Sequence, residues 1–283
     1  MRAWLLLFAI SGGLVLPARS NDPTGVSAPS LRLAPGVDSA AYRVTCFAPN
    51  LPFPYGMAQL VDGSLLVGLS RPTLTNDGVF HSVGELRRFV DTNDDGVADD
   101  AGIPLATNLP GGLVDVRTAA DLVFVASTEF GNEQILCFRQ GPEPSSPLQP
   151  VGQIRLAYPW VYHQTYGLAL KTHPEAPGDI DLVFNVGSLE NAKHATNLIA
   201  LSGLASGELL TETVYRITLH DRGDHLDSGW SVYPAARVRG GTGSIALGAG
   251  NEFEPARWGP SATADENAGR ALDPGKIGTS WRS

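Results

Sequence analysis

One phrase, written three times at nearly constant spacing, constrains this chain more than any other feature. Tyr55-Gly-Met-Ala-Gln-Leu-Val-Asp-Gly-Ser-Leu-Leu-Val-Gly-Leu-Ser runs glycine, apolar strand, polar turn, second strand. Gly112-Leu-Val-Asp-Val-Arg-Thr-Ala-Ala-Asp-Leu-Val-Phe-Val-Ala-Ser has the same form. So does Gly167-Leu-Ala-Leu, continued through Leu182-Val-Phe-Asn-Val-Gly-Ser. The starts at Gly56, Gly112 and Gly167 stand 56 and then 55 positions apart. In the first copy Asp62-Gly63 is a strong hairpin turn signal, because glycine adopts the positive φ that such turns need. Further strands are predicted at Tyr42–Phe47, Glu85–Val90, Pro104–Asn108, Gln134–Arg139, Gly152–Ala157, Val214–Leu219 and Trp230–Ala235. A repeat that carries about four strands is the pattern of a β-propeller blade. The predicted fold is therefore all-β: a partial β-propeller of about three to four blades, the fourth starting at Gly243-Ser-Ile-Ala-Leu-Gly. A β-sandwich with coincidental spacing is the competing reading.

Composition agrees with an all-β class. The chain is 43% apolar, enough for a core, and its 32 glycines and 21 prolines leave room for many turns. No long segment of helical period interrupts the strands. Four regions are expected. Residues 1–20 read as a secretory signal: Arg2, the apolar run Ala3–Leu16, and the small-x-small site Ala18-Arg-Ser20. An uncleaved anchor is the alternative. Residues 21–41 form a Pro/Ser/Gly-rich lead-in, residues 42–239 the blades, and residues 240–283 an irregular Gly/Ala-rich tail or incomplete blade. The tail suggests a chain too short to close a ring.

The formal charge is −9, and −11 once Arg2 and Arg19 are removed. An acidic protein is a poor partner for nucleic acid or anionic lipid, so neutral sugars or cationic partners are expected, in a secreted or periplasmic location. Cys46 and Cys137 either pair in an oxidising compartment or stay as half-buried strand residues. Two cysteines make no structural zinc site.

The stretch Tyr158–Asn191 carries a more specific signal. It contains His163-Gln-Thr-Tyr-Gly-Leu168, a Pro/Gly/Asp turn, and Leu182-Val-Phe-Asn-Val-Gly-Ser188. The pattern His-x-Thr-x-x-Leu, turn, Leu-x-x-x-x-Gly-Ser resembles the soluble quinoprotein sugar dehydrogenases of the glucose/sorbosone dehydrogenase family. The resemblance spans Tyr42–Arg239 and implies a six-bladed propeller that oxidises a sugar or aldose hydroxyl. It implies pyrroloquinoline quinone as hydride acceptor, polarised by calcium, with His163 as the catalytic base. Imidazole suits that role because its pKa lies near neutrality. Gln164 is then a sugar-facing residue, with a solvent-exposed turn amide as the plainer reading. The family's Arg-Asn phrase at the start of the following blade is replaced here by Ala236-Arg-Val-Arg-Gly-Gly-Thr-Gly-Ser-Ile-Ala. No cofactor-binding arginine or lysine is carried over.

A second constellation is Asp91-Thr-Asn-Asp-Asp-Gly-Val-Ala-Asp-Asp. Asp91, Asn93, Asp95 and Asp99 supply oxygens at positions 1, 3, 5 and 9 of a calcium loop, and Gly96 permits the sharp turn at position 6. Position 12 is Gly102 instead of glutamate, so an EF-hand is excluded. The alternatives are a weak structural calcium site and an acidic turn that needs no metal. Gly241-Thr-Gly-Ser lacks a βαβ context, and no Gly-x-Ser-x-Gly elbow occurs. His173, His194, His220 and His225 read as solvated. Trp160, Tyr162 and Tyr166 read as packing or as a sugar-stacking platform. The sequence therefore supports a quinone-dependent sugar dehydrogenase, a calcium-steadied binding module for carbohydrate or protein, or an inactive fragment of the former.

Overall fold

A computed structural model describes residues 32–73, 81–129, 131–158, 165, 167–187, 197–211, 213–228, 232–239 and 252–255, the last two spans by backbone alone. Among these residues there are sixteen strands and no helix. The chain divides into two compact units: residues up to Leu51 together with Phe89–Gly102, and the rest from Pro52 onward.

In the smaller unit, the strand predicted at Tyr42–Phe47 does not form. The segment is extended but pairs with a loop, so it has no ladder. Ala98 donates its amide to the Phe47 carbonyl at 2.7 Å, and the Thr45 hydroxyl bonds to the Gly96 carbonyl at 2.5 Å. Arg43 reaches the Asp94 carbonyl at 3.1 Å. The Phe47 and Phe89 rings meet edge to face with centroids 6.3 Å apart.

The larger unit contains three antiparallel sheets, none closed on itself. The first joins β1 (Met57–Gln59), β2 (Leu65–Pro72), β3 (Ser82–Phe89) and β4 (Ile103–Pro110) in chain order. The β1–β2 register pairs Met57 with Val67 and Gln59 with Leu65 around the predicted Asp62-Gly63 turn. Gly63 has φ 85° there, and Asp62 accepts the Ser64 amide. The second sheet runs β5 (Gly112–Ala119), β6 (Leu122–Thr128), β7 (Glu133–Arg139), β8 (Gln149–Ala157) in the same up-and-down manner. The third begins with β9 (Leu168–Thr172) and β10 (Asp179–Val186). The chain then leaves it for a hairpin, β11 (Leu198–Gly203) and β12 (Gly207–Leu210), that extends the outer edge of the second sheet beside β8. It returns as β13 (Thr213–Asp221), flanked by the short β14 (Leu226–Asp227), then β15 (Val232–Arg239) and β16 (Glu252–Pro255).

The hairpin was not predicted from sequence. Its close approach depends on Gly203, at φ 100°, where a Cβ would lie 2.2 Å from the Gln153 carbonyl oxygen. The neighbouring Leu204 amide bonds to that carbonyl at 2.8 Å.

The second sheet is the middle layer, which explains its sequence. Phe124, Ile135, Ile154 and Leu156 face Leu182, Phe184 and Ile217 of the third sheet in one core. Val123, Val125 and Leu136 belong to a second core with Leu60, Leu66, Leu86 and Leu105 of the first sheet. Every residue of β6 is buried, so Leu122-Val-Phe-Val-Ala reads as an unbroken apolar run. Each such aliphatic or aromatic side chain stabilises the fold by roughly 1.5–3 kcal/mol relative to exposure. β10, with one face in this core, instead alternates Asp179, Ile180, Asp181, Leu182.

Candidate functional site

The opening strands of the three sheets lie side by side, β1 against β5 and β5 against β9. Their contacts begin with the repeat glycine. A Cβ on Gly56 would stand 2.5 Å from the Val116 amide nitrogen and 2.7 Å from the Asp115 carbonyl carbon, so only glycine lets the backbones approach. The Thr118 hydroxyl donates to the Gln59 carbonyl at 2.8 Å, holding β5 to β1.

On its other side β5 is held to β9 by a carboxylate and a guanidinium two residues apart. Asp115 accepts the Leu168 amide at 2.8 Å and the Val116 amide at 2.9 Å. Arg117 donates Nε–H to the Leu168 carbonyl at 2.9 Å and places Nη2 3.3 Å from Asp115. Burial raises the Asp115 pKa, and the Leu168 amide, Arg117 and the Val116 amide only partly offset it. Gly167 donates its amide to the Asn185 side-chain oxygen at 3.1 Å, so the start of β9 is also tied to β10.

Just before β9 lies a buried acid. Glu133, at the start of β7 and 1% exposed, accepts the Thr165 amide on Oε2 at 2.9 Å. Its Oε1, with the Thr128 and Thr165 hydroxyls, is buried and has no hydrogen-bond partner. The two hydroxyls are turned toward the carboxyl as donors and favour its ionised form, short of full hydrogen-bond geometry. Burial dominates and pushes the Glu133 pKa up to about 8. Beside it the Tyr158 hydroxyl accepts the Gly187 amide at 3.1 Å, and burial raises the phenol pKa, with Glu133 adding to the shift.

His163 and Gln164 lie outside the described residues, as do Trp160, Tyr162, Tyr166 and His194. Described residues flank the pair: Tyr158 before it and Thr165 directly after. Of the histidines predicted to be solvated, two differ. His220 Nδ1 sits 2.7 Å from Asp179, its register partner across β10 and β13, and half-buried His173 places Nε2 3.2 Å from the buried Asp181. His225 is exposed, with Asp224 at 2.6 Å.

In the acidic loop, Asp91 accepts the Asp95 amide on Oδ1 at 3.1 Å and the Gly96 amide on Oδ2 at 2.8 Å. Asn93 also accepts the Asp95 amide, and Asp95 accepts that of Val97. Asp99 turns to Thr92, taking its amide at 2.9 Å and its hydroxyl at 2.8 Å. The loop thus folds around its own side chains. Among the described residues, no group of three or more His, Cys, Asp or Glu side chains gathers as metal ligands do. Cys46 and Cys137 are both unpaired, and Cys137 is fully buried in β7.

Pyrroloquinoline quinone carries three carboxylates and calls for several cationic or amide partners. Arg117, the arginine at the meeting of β5 and β9, is already engaged by Asp115 and the Leu168 carbonyl. Arg117 is therefore not offered to the carboxylates of that group. Asp115 and Arg117 had a visible signal, since they share one face of an apolar strand. Glu133 had none, because an acid opening a strand reads as solvated. No family model, curated protein or solved structure matches this chain.

Proposed function

We propose that the three up-and-down sheets are blades of a β-propeller of the sugar-dehydrogenase type, with β1, β5 and β9 as the inner strands. In this reading the segment before β9 carries the chemistry: His163 takes the proton of a sugar hydroxyl and Gln164 meets the sugar. The observation that carries it is the Glu133–Thr165 bond, which anchors that segment to β7 two residues beyond His163. A base held by a rigid strand is what proton abstraction requires. Pyrroloquinoline quinone would supply the hydride acceptor. Residues 1–20 would direct export to the periplasm or medium.

One observation favours a second reading, a non-catalytic module that binds carbohydrate or a protein. Arg117 is spent on the protein's own backbone and Asp115, leaving that edge suited to a neutral ligand. Calcium at Asp91, Asn93, Asp95 and Asp99 would steady such a module. The two readings separate in one experiment. Purified protein is mixed with pyrroloquinoline quinone, calcium and a panel of aldoses, and dye reduction is followed beside sugar binding by calorimetry. Turnover that His163→Ala abolishes supports the enzyme. Binding without turnover supports the module.

A further inference from the structure

Two large aromatic side chains stand in solvent at the entry to β1. Phe53 is 53% exposed and Tyr55 57%, on either side of Pro54. Phe53 also has φ 39°, a left-handed conformation that bulky residues avoid, and a residue before a proline ordinarily keeps φ negative. The strain brings little burial in return, and strain kept without a packing gain points to a use for the ring. The segment itself is held firmly. The Tyr55 amide donates to the Gly68 carbonyl at 3.2 Å, and the Ser70 amide to the Pro52 carbonyl at 3.1 Å. Rings on a fixed support lose little freedom on binding.

The rings lie at a particular end of the sheets. Gly56 packs on Asp115 and Val116, and Gln59 meets Thr118, so β1 and β5 run the same way. Ser70 ties their entries together, since its hydroxyl accepts the Leu113 amide at 2.9 Å while its amide holds Pro52. Gly112 pairs with Thr128, Ser127 with Gln134 and Glu133 with Leu156, so the entry of β5 shares an end with the start of β7. Thr165 bonds to Glu133 at that end, to which the reading above assigns the chemistry.

Charge and size select the ligand. No Asp, Glu, Lys or Arg occurs from Val44 through Val61, in a chain of formal charge −9. The rings therefore offer nothing to an ionic ligand. The other exposed large apolar residues described in the larger unit stand apart: Val61 at the far end of β1, and Leu198 on β11 toward the outer edge of the second sheet. A stable protein contact takes about 800 Å² per partner, whereas an aromatic side chain covers about 150–250 Å². A sugar ring, with apolar C–H faces and a rim of hydroxyls, matches both limits. We propose that Phe53 and Tyr55 form a stacking platform for the C–H faces of a neutral carbohydrate. The platform rests on the proposed function for its class of ligand, and not on catalysis by His163.

Calorimetry with glucose, maltopentaose and cellopentaose tests it on wild type, Phe53→Ala, Tyr55→Ala and the ring-keeping Phe53→Tyr and Tyr55→Phe. At least one of these sugars is expected to bind, about tenfold more weakly in each alanine variant and with little change when the ring is kept. No binding by wild type, or unchanged affinity in the alanine variants, would overturn the platform. Self-association that both alanine variants abolish, without sugar binding, would assign the rings to a second copy and overturn it as well. Should the alanine variants not fold, nuclear Overhauser contacts between the sugar and both rings in wild type decide, and their absence refutes the proposal. Dye reduction reads the enzyme separately. Binding through the rings without turnover keeps the platform and removes the enzyme, and turnover with an unchanged KM in the alanine variants does the reverse.

Discussion

Asp115 and Leu168 stand 53 positions apart, yet the Asp115 carboxylate accepts the Leu168 amide at 2.8 Å and so joins the opening strands of two sheets. The same carboxylate takes the Val116 amide and neutralises Arg117, which itself reaches the Leu168 carbonyl. Both backbone groups of Leu168 are thus satisfied by β5 side chains. An edge that would otherwise leave a buried amide bare is closed this way.

Asp115→Ala removes both acceptors and leaves the Leu168 amide without its partner. A loss of about 1–3 kcal/mol is expected, because an orphaned buried donor keeps its full desolvation cost. Asp115→Asn retains one acceptor and is expected to lose less. Urea unfolding of the three proteins measures the order, and an unchanged midpoint for the alanine variant would remove the staple from the account.

Gly56→Ala tests the closeness of β1 to β5. The new methyl would lie 2.5 Å from the Val116 nitrogen, a backbone atom that cannot swing aside. Overpacking of this kind costs about 1–3 kcal/mol. Gly63→Ala differs, since its Cβ would meet nothing nearer than the Gln59 side chain at 3.8 Å and the strain is in φ alone. Gly63→Asn is expected to relieve that strain, whereas no side chain relieves Gly56. Melting temperatures of the three variants give the comparison.

The fold was most legible where burial and period coincide. The β5–β6 phrase shows both strands because β6 is covered on two faces, and in the β1–β2 phrase Asp62-Gly63 marks the turn through glycine's freedom at positive φ. Tyr42–Phe47 misled because an extended segment bonded to a loop has the same apolar rhythm as a strand. The β11–β12 hairpin stayed hidden for another reason: nothing local in Leu198-Ile-Ala-Leu states that its partner is β8, with β9 and β10 between them in the chain. In the site, Asp115 and Arg117 were not singled out from sequence, although they share one face of an apolar strand. Nor was Glu133, since its burial comes from Thr165 and Tyr158, which are distant in sequence.

The cysteines give a simple check on the packing. Cys137 is 1% exposed and burial raises its thiol pKa, so little reactive thiolate is present. Cys46 is half-buried, and burial raises its pKa as well. Ellman's reagent is expected to label Cys46 slowly in the native protein and Cys137 only after denaturation. Two fast thiols without denaturant would contradict the buried β7.

Asp91→Ala probes how the acidic loop is held. Both Asp91 oxygens accept loop amides, those of Asp95 and Gly96, and Gly96 sits at φ 78° in the turn they enclose. Bonds of this type contribute about 0.5–1.5 kcal/mol each, so the variant is expected to lose about 1–3 kcal/mol even in chelator. Asp100→Ala, which gives up a single bond to the Gly102 amide, is expected to lose less. Amide exchange at Asp95 and Gly96 in chelator should rise in the first variant and stay level in the second. Adding calcium then separates the two roles of the loop. A wild-type melting temperature that climbs with calcium, and does not climb in Asp95→Ala, supports ligation by the same side chains that already shape the turn. Equal curves with and without calcium show that the Asp91 bonds suffice.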